Sequence, residues 1–372
     1  MKISIFVHDI TTFGGVEYVS TVLARKLNPN NEVDIVSLRN KKSVFFDTNG
    51  LNLENINISS KTGELNKNDY TIIDNYFKNK RYDKTIVQLS TVFKNLCPLA
   101  DIKILEIISK YSKIEIVFHE SPKYFVTRYN IANKNFILYL LKKLYTLVYH
   151  NPKIYNFMRK SRRYTTSYVT LSKGCKKELK QYFHIDSIVR YNPYSFEENS
   201  IDIYGKQNIV LWAGRFSPEK NLLMLINAWK NINNDAWKLY LIGDGEQKEE
   251  INQIIETNNI KNIEIFNAIP HEELMKKMNI SKIFVLPSYF EAFPTVIPES
   301  MNRRNVVICT KYDGYSDELV INEKTGFVIN FDQKELCHKI KYLIENEERL
   351  RTMQEAAYNN CLEFYKNINN YL

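Results

Sequence analysis

The chain has 372 residues, 44% of them hydrophobic and 25% charged, which is too long for one ordinary domain and supplies ample apolar material for two cores. Its five cysteines (97, 175, 309, 337 and 361) are scattered, with no Cys-x-x-Cys and no nearby histidine pair; this argues against a zinc site or a disulfide framework and fits a reducing cytosol. The net charge of +9 is unevenly placed: Lys123 to Arg190 holds fifteen Lys/Arg against Glu178 and Asp186, or +13, which leaves −4 for the rest of the chain.

Taken in chain order, Met1–Val7 reads as a strand opening directly on the fold, not as a signal peptide. Strand patterns follow at Lys2–His8, Glu32–Ser37, Tyr70–Ile73, Thr85–Leu89, Glu115–His119 and Tyr168–Leu171, with helical patterns such as Val16–Leu27 and Lys173–Phe183 between them. The Asn-rich stretch 40–68 reads as an extended loop or a frayed sheet edge. No apolar run is long enough to span a bilayer; the best, Phe136 to Tyr149, is broken by Lys142 and Lys143. The segment 191–205 is polar and aperiodic, carries Pro193, and reads as a linker.

After it the alternation restarts. Strands are expected at Ile209–Ala213, Trp237–Ile242, Ile263–Phe266, Lys282–Leu286, Asn305–Cys309 and Gly326–Ile329. Helices are expected at Pro218–Asn231, Gln247–Thr257, His271–Met278, Thr295–Met301, Gln333–Asn346 and Leu350–Phe364. Strand–helix alternation with β-branched strands implies parallel sheets covered on both faces. The expected architecture is α/β: two doubly wound, Rossmann-like domains facing across a cleft, 1–190 and 206–346, with 347–372 as a final helix packing back toward the first.

Glu291-Ala-Phe-Pro-Thr-Val-Ile-Pro-Glu299 places two carboxylates eight residues apart, on a loop after a buried strand and about one turn into the following helix. In an open α/β sheet that edge is where ligands sit. Free N–H groups at a helix start suit a diphosphate, and the carboxylates suit hydroxyl-rich groups beside it. Gly214-Arg215-Phe-Ser217-Pro218-Glu-Lys220 also follows a strand and opens a helix, with Ser217 as its cap, so Arg215 and Lys220 emerge at the same edge and can neutralise a diphosphate. Gly14-Gly15 lies between the first strand and helix, where paired glycines permit close backbone approach. It is not Gly-x-Gly-x-x-Gly, so no dinucleotide fingerprint is present. His119 ends a strand beside Glu120. Gly243-Asp-Gly245 is a strand-to-helix turn within reach of a nucleotide, and Ser172-Lys173 begins a helix at a strand's end. No Asp-x-Asp occurs, so the usual carboxylate pair for a metal-bound diphosphate is missing.

Together these motifs resemble the retaining glycosyltransferases of family 4 (glycosyl transferases group 1), which share the GT-B fold. The resemblance covers nearly the whole chain and is most specific in the Arg215/Lys220 motif and the paired glutamates. It implies that the first domain binds the acceptor and the second a nucleotide-sugar donor, UDP-linked first. Arg215 and Lys220 would hold the diphosphate, Glu291 the donor sugar and Glu299 the ribose. Backbone N–H groups from Phe293 to Val296, across Pro294 and Thr295, would cradle the donor, with Gly14, Gly15, Gly214, Gly243 and Gly245 lining it, and His119 would sit beside the transferred sugar. The catalytic set is then Glu291, His119, Arg215 and Lys220, with no metal and no cofactor. Ala292 stands where the family often has glycine, and Pro294 removes one N–H.

The basic segment interleaves its charge with Tyr, Phe, Leu and Ile. Such a pattern suits an anionic membrane surface, with Lys142, Lys143, Arg159, Lys160, Arg162 and Arg163 as contacts. It lacks any nucleic-acid recognition motif. The expected protein is thus a peripheral enzyme at the cytoplasmic membrane face, hexosylating a saccharide or lipid-linked acceptor in surface or capsular polysaccharide synthesis. The rivals are a nucleotide-sugar epimerase of the same fold and a non-catalytic sugar-nucleotide-binding partner of another transferase.

Overall fold

The computed structural model describes residues 1–12, 14–39, 44, 46–58, 65–90, 98–127, 136–194, 196, 201–232, 234–311 and 316–368, the side chains of 136–139, 142, 316 and 317 excepted. The described chain forms two compact units, one through Tyr194 and one from Phe196 onward.

The first unit runs β1 (Lys2–Val7), α1 (Gly15–Leu27), β2 (Glu32–Ser37), β3 (Asn52–Asn55), α2 (Lys67–Lys80), β4 (Lys84–Leu89), α3 (Ile102–Ser109), β5 (Lys113–Phe118), α4 (Pro122–Thr127), α5 (Phe136–Tyr145), a π-helical turn Thr146–His150, α6 (Asn151–Ser161), β6 (Ser167–Thr170), α7 (Lys173–Phe183) and β7 (Ile188–Val189). Its seven-stranded sheet has the order β3-β2-β1-β4-β5-β6-β7, parallel throughout. Consecutive apolar residues such as Ile5, Phe6 and Val7 are all buried, as expected where helices cover both faces. Phe6 and Phe77 meet edge to face in the core, 5.6 Å between ring centres.

Two elements differ from expectation, α2 and the short edge strand β7, which was not foreseen. Tyr70–Ile73 is the interior of α2, not a strand. Asn66 caps that helix by accepting from Asp69 N–H at 3.0 Å, while Asp69 accepts from Asn66 N–H at 3.0 Å. This reciprocal box starts a helix that buries Ile73 and Phe77 on one face, and it overrides the strand preference of Thr71-Ile72-Ile73. Within 40–68, of which 40–43, 45 and 59–64 lie outside the described residues, Asn52–Asn55 adds an edge strand to β2, the sheet-edge alternative of the two expected there, helped by Asn52 Nδ2 donating to Asp34 Oδ1 at 2.5 Å.

The second unit runs β8 (Ile209–Ala213), a short 3-10 turn Pro218–Lys220, α8 (Leu222–Trp229), β9 (Lys238–Ile242), α9 (Lys248–Thr257), β10 (Ile263–Phe266), α10 (His271–Ile280), β11 (Ile283–Leu286), α11 (Val296–Asn302), β12 (Val306–Thr310), α12 (Ser316–Leu319), β13 (Gly326–Ile329), α13 (Gln333–Glu345) and α14 (Glu347–Lys366). Its sheet has the order β10-β9-β8-β11-β12-β13, also parallel throughout. Trp212 and Phe216 sit edge to face at 5.2 Å in its core. The expected long helix from Pro218 is split: Asn221, in the left-handed conformation (φ 50°), separates the 3-10 turn from α8. The last helix, α14, packs on α11, α12, α13 and β12 of this same unit. Gln354 Nε2 donates to Arg304 O at 3.0 Å, and Arg304 Nε donates to Glu355 Oε1 at 2.9 Å. Among the described residues no helix is long and apolar enough to cross a membrane.

Candidate active site

In the second sheet chain order reverses between β8 and β11, which pair directly through Ile283–Val210 and Phe284–Leu211. The loops leaving the carboxyl ends of these two strands therefore lie side by side at the switch point, the usual ligand position in an open α/β sheet. The loop after β8 carries Gly214, Arg215 and Lys220; the loop after β11 carries Glu291. They are stitched together twice. Tyr289 N–H donates to Glu219 O at 2.8 Å, and Lys220 Nζ donates to Glu291 Oε1 at 2.6 Å. The pair is partly withdrawn from water, with side-chain exposures of 24% for Lys220 and 9% for Glu291. Arg215 is exposed and its guanidinium makes no ion pair with described residues. One cation at this edge is thus engaged by an acid and the other stands open. Ser217 takes the backbone cap position, but its hydroxyl donates to Glu219 Oε1 at 2.7 Å and caps no helical N–H, contrary to expectation.

The Gly243-Asp-Gly245 turn backs this loop. Gly214 N–H donates to Ile242 O at 3.0 Å, Phe216 N–H to Asp244 O at 2.9 Å, and Gln247 N–H to Phe216 O at 2.9 Å. Gly243 (φ 148°) and Gly245 (φ 156°) adopt conformations that side chains rarely take, and a Cβ at either would fall 1.8 Å from Gly214 O or 2.5 Å from Phe216 O. Their role in the described structure is to let two backbones touch, which fixes where Arg215 emerges.

Glu299 lies in α11 and is 2% exposed. One of its oxygens is held by His271, at the start of α10, with Nε2 3.1 Å from Oε1. Sequence reasoning missed His271, because only the packing of α10 on α11 brings it to Glu299; a histidine just after Pro270 at a helix start was the one available signal. Phe293 and Pro294 are buried, whereas Thr295 and Val296 are partly exposed. Ile297 N–H already donates to Pro294 O at 3.1 Å, and Glu299 N–H to Thr295 O at 3.1 Å. With only seven residues in α11, the side-chain cations are the stronger source of positive charge.

In the first unit Gly14 caps α1 in extended conformation and Gly15 is exposed at its start. The missing side chain at 14 leaves room for the Glu17 carboxylate, 2.5 Å from where a Cβ would stand. His119 follows β5, with its N–H donating to Leu89 O at 3.0 Å and its ring Nε2 paired to Gln88 Oε1. Burial pushes the imidazole pKa down to about 4, so the ring is neutral near pH 7. With Nε2–H donating to Gln88, Nδ1 keeps its lone pair for another donor. Gln88, buried on β4, is a second residue that sequence reasoning missed. Ser172 caps α7, accepting from Cys175 N–H at 3.1 Å.

The basic contacts divide. Lys143, Arg159, Lys160 and Arg163 are exposed. Arg162 is exposed as well, and it also ties α6 to the end of α7, donating to Phe183 O at 2.5 Å and His184 O at 3.2 Å. The side chain of Lys142, like Arg128 and Lys134 of the basic segment, lies outside the described residues.

Two successive, all-parallel α/β units are the architecture of the GT-B class, and the chain is a glycosyltransferase of that fold. Residues 194–360, nearly all of the second unit, match the family model described as Glycosyl transferases group 1. The chain is 24% identical over 371 residues (98% of its length, 95% of the relative's) to the amylovoran biosynthesis glycosyltransferase AmsD of Erwinia amylovora. It is 23% identical over 223 residues (58% of its length, 61% of the relative's) to an alpha-1,4-N-acetyl-D-galactosaminyltransferase of Campylobacter jejuni, whose name includes a saccharide joined to PP-undecaprenol. Among solved structures, Anabaena HepE in complex with UDP and glucose superposes with a TM-score of 0.73 at 15% identity, covering 98% of this chain and 96% of that one.

Proposed function

We propose that the chain is a retaining, metal-independent hexosyltransferase of family 4. It moves a sugar from a UDP-sugar to a lipid-linked or surface-polysaccharide acceptor at the cytoplasmic membrane face, with the basic side of its first unit against anionic lipid. The observation that carries this reading is the Lys220–Glu291 pair at the switch point of the second sheet, with the exposed Arg215 on the same loop as Lys220. As the anomeric C–O bond breaks, negative charge grows on the departing diphosphate. Arg215 receives it by a planar fork and Lys220 as a point charge. Glu291 faces the sugar hydroxyls and Glu299 the ribose. Because Glu291 Oε1 is already taken by an ammonium, the carboxylate makes a poor nucleophile. Same-face attack follows: the acceptor oxygen bonds to the anomeric carbon while a diphosphate oxygen takes its proton. His119, neutral and with Nδ1 open, accepts from a hydroxyl of the transferred sugar. The UDP and glucose bound to the HepE structure and the lipid-linked saccharide in the Campylobacter relative's name support the donor and acceptor classes.

The test is a thermal-shift screen of UDP-, GDP- and ADP-sugars, followed by turnover with polyprenyl-diphosphate-linked acceptors and assignment of the product anomer by NMR. Release of UDP with retained configuration is expected. Epimerised donor without any acceptor, or donor binding without turnover across acceptors, overturns the reading.

A further inference from the structure

The basic segment of the first unit contains a ridge that is apolar in the wrong direction for a water-facing element. In the π-helical turn Thr146–His150 the two polar residues point inward: Thr146 and His150 are buried, and His150 Nε2 pairs with Phe125 O at 3.0 Å. The residues between them point outward, Leu147 at 60% exposure and Val148 at 70%. One turn earlier in α5, Leu141 and Leu144 stand 58% and 59% exposed. This is no general looseness of the segment, because α6, directly after it, seats Ile154, Phe157 and Met158 in the core against α3 and α4. A soluble helix turns its apolar stripe inward. Here it turns outward, and a contiguous exposed apolar patch of this kind marks a docking surface.

The charges around the ridge decide what docks. Lys143, Lys153, Lys160 and Arg163 are exposed on the same stretch, and Lys153 Nζ lies 3.7 Å from the centre of the Tyr149 ring. Exposed leucine and valine, exposed tyrosines and exposed cations on one stretch offer a partner to each layer of an anionic lipid leaflet: acyl boundary, interface and phosphate. We infer that Leu141, Leu144, Leu147 and Val148 form a wedge that inserts into the headgroup–acyl boundary of an anionic bilayer. This rests on the membrane-surface part of the proposed function and adds hydrophobic insertion to what the charges alone provide. Adsorption by charge is screened away in salt, whereas insertion of the wedge persists.

The experiment is flotation of the full chain with vesicles of phosphatidylglycerol and phosphatidylethanolamine, and with phosphatidylcholine alone, at low and at high salt. The wild type is expected to bind the anionic vesicles and to keep part of that binding in high salt. A Leu147→Ser/Val148→Ser double variant should lose the salt-resistant part, by roughly tenfold in partitioning for each residue. Lys160→Glu/Arg163→Glu should lose the salt-sensitive part instead. Val148→Trp should show fluorescence quenched by lipids brominated on the acyl chain. Melting temperature and turnover on a water-soluble acceptor should be unchanged in the serine variant. Equal high-salt binding of wild type and serine variant overturns the wedge. So does a lipid-free dimer that the serine variant abolishes, since a second copy would then cover the ridge. If no sugar nucleotide is turned over, the flotation result still reads on its own, so the two failures are distinguishable.

Discussion

Lys220 Nζ and Glu291 Oε1 stand 2.6 Å apart, across two loops that come from strands far separated in sequence and adjacent in the sheet. The two side chains assigned to opposite ends of the donor, its diphosphate and its sugar, are therefore partners before any ligand arrives. A diphosphate entering this edge meets an ammonium already shared with a carboxylate, and Arg215 is its first unshared cation.

If that pair serves chemistry more than scaffolding, Lys220→Met should lower turnover by about 10²–10³, the scale of one preorganised donor to a developing charge. The reversed pair Lys220→Glu/Glu291→Lys restores an ion pair but not the charge order. Its melting temperature should recover toward wild type and its turnover should not. Recovered turnover in the reversed pair would mean that the ion pair matters only for structure.

Glu291→Gln should separate binding from catalysis. It frees Lys220, so calorimetric affinity for UDP should hold or tighten, while turnover of the UDP-sugar falls. Parallel loss of both would place Glu291 in the scaffold.

The His271–Glu299 contact predicts sensitivity to the ribose. Removing His271 lets the buried carboxylate rotate away from the pose held at 3.1 Å. Wild type should discriminate UDP from its 2′- and 3′-deoxy forms by roughly tenfold for each lost hydrogen bond to a charged group. In His271→Ala that discrimination should shrink, and in His271→Gln it should partly return. Undiminished discrimination in His271→Ala sinks the positioning role; no discrimination in wild type sinks the assignment of Glu299 itself.

Two glycines should behave oppositely. Gly243→Ala places a Cβ 1.8 Å from Gly214 O in a conformation side chains avoid, so the Arg215 loop must move. A loss of roughly 1–3 kcal/mol in stability, with weaker donor binding, is expected from denaturant titration. Gly15→Ala meets nothing within 4 Å and should change stability by less than about 0.5 kcal/mol. If its turnover nevertheless collapses, close backbone approach of a ligand at Gly15 is the reason.

His119 makes a pH prediction. Its pKa is pushed down by burial from 6.5 to about 4. Between those values the unfolded chain binds a proton that the folded chain refuses, so this group lowers stability as pH falls from 6.5 toward 4 and has no effect above 6.5. Denaturant midpoints at about pH 5 and about pH 7.5 should differ less in His119→Asn than in wild type. An unchanged difference shows that other groups carry the acid sensitivity.

The doubly wound order of both sheets was legible because the buried parallel strands are long apolar, β-branched runs set between helical patterns. The exceptions have different causes. Tyr70–Ile73 has strand-like composition, yet the Asn66/Asp69 box upstream decides it, and that signature was present in the sequence. Asn52–Asn55 fell in a stretch readable as loop or as frayed sheet edge, and its pairing with β2 depends on contacts that local composition does not encode. At the site, Arg215, Lys220, Glu291 and Glu299 stood out by motif. Their partners did not: the Lys220–Glu291 pair and His271 follow from strand order and helix packing. The basic segment was legible as charge. The outward leucines and valine were not, since which face of a helix is buried depends on what packs against it.

The support of α11 by α14 also orders events in the cell. Cys361 meets Pro298 O at 3.7 Å and Gln354 secures the turn that follows α11, so the helix bearing Glu299 lacks part of its backing until α14 is made. A protease that trims α14 is therefore expected to loosen the helix that bears Glu299 and to lower activity from a distance.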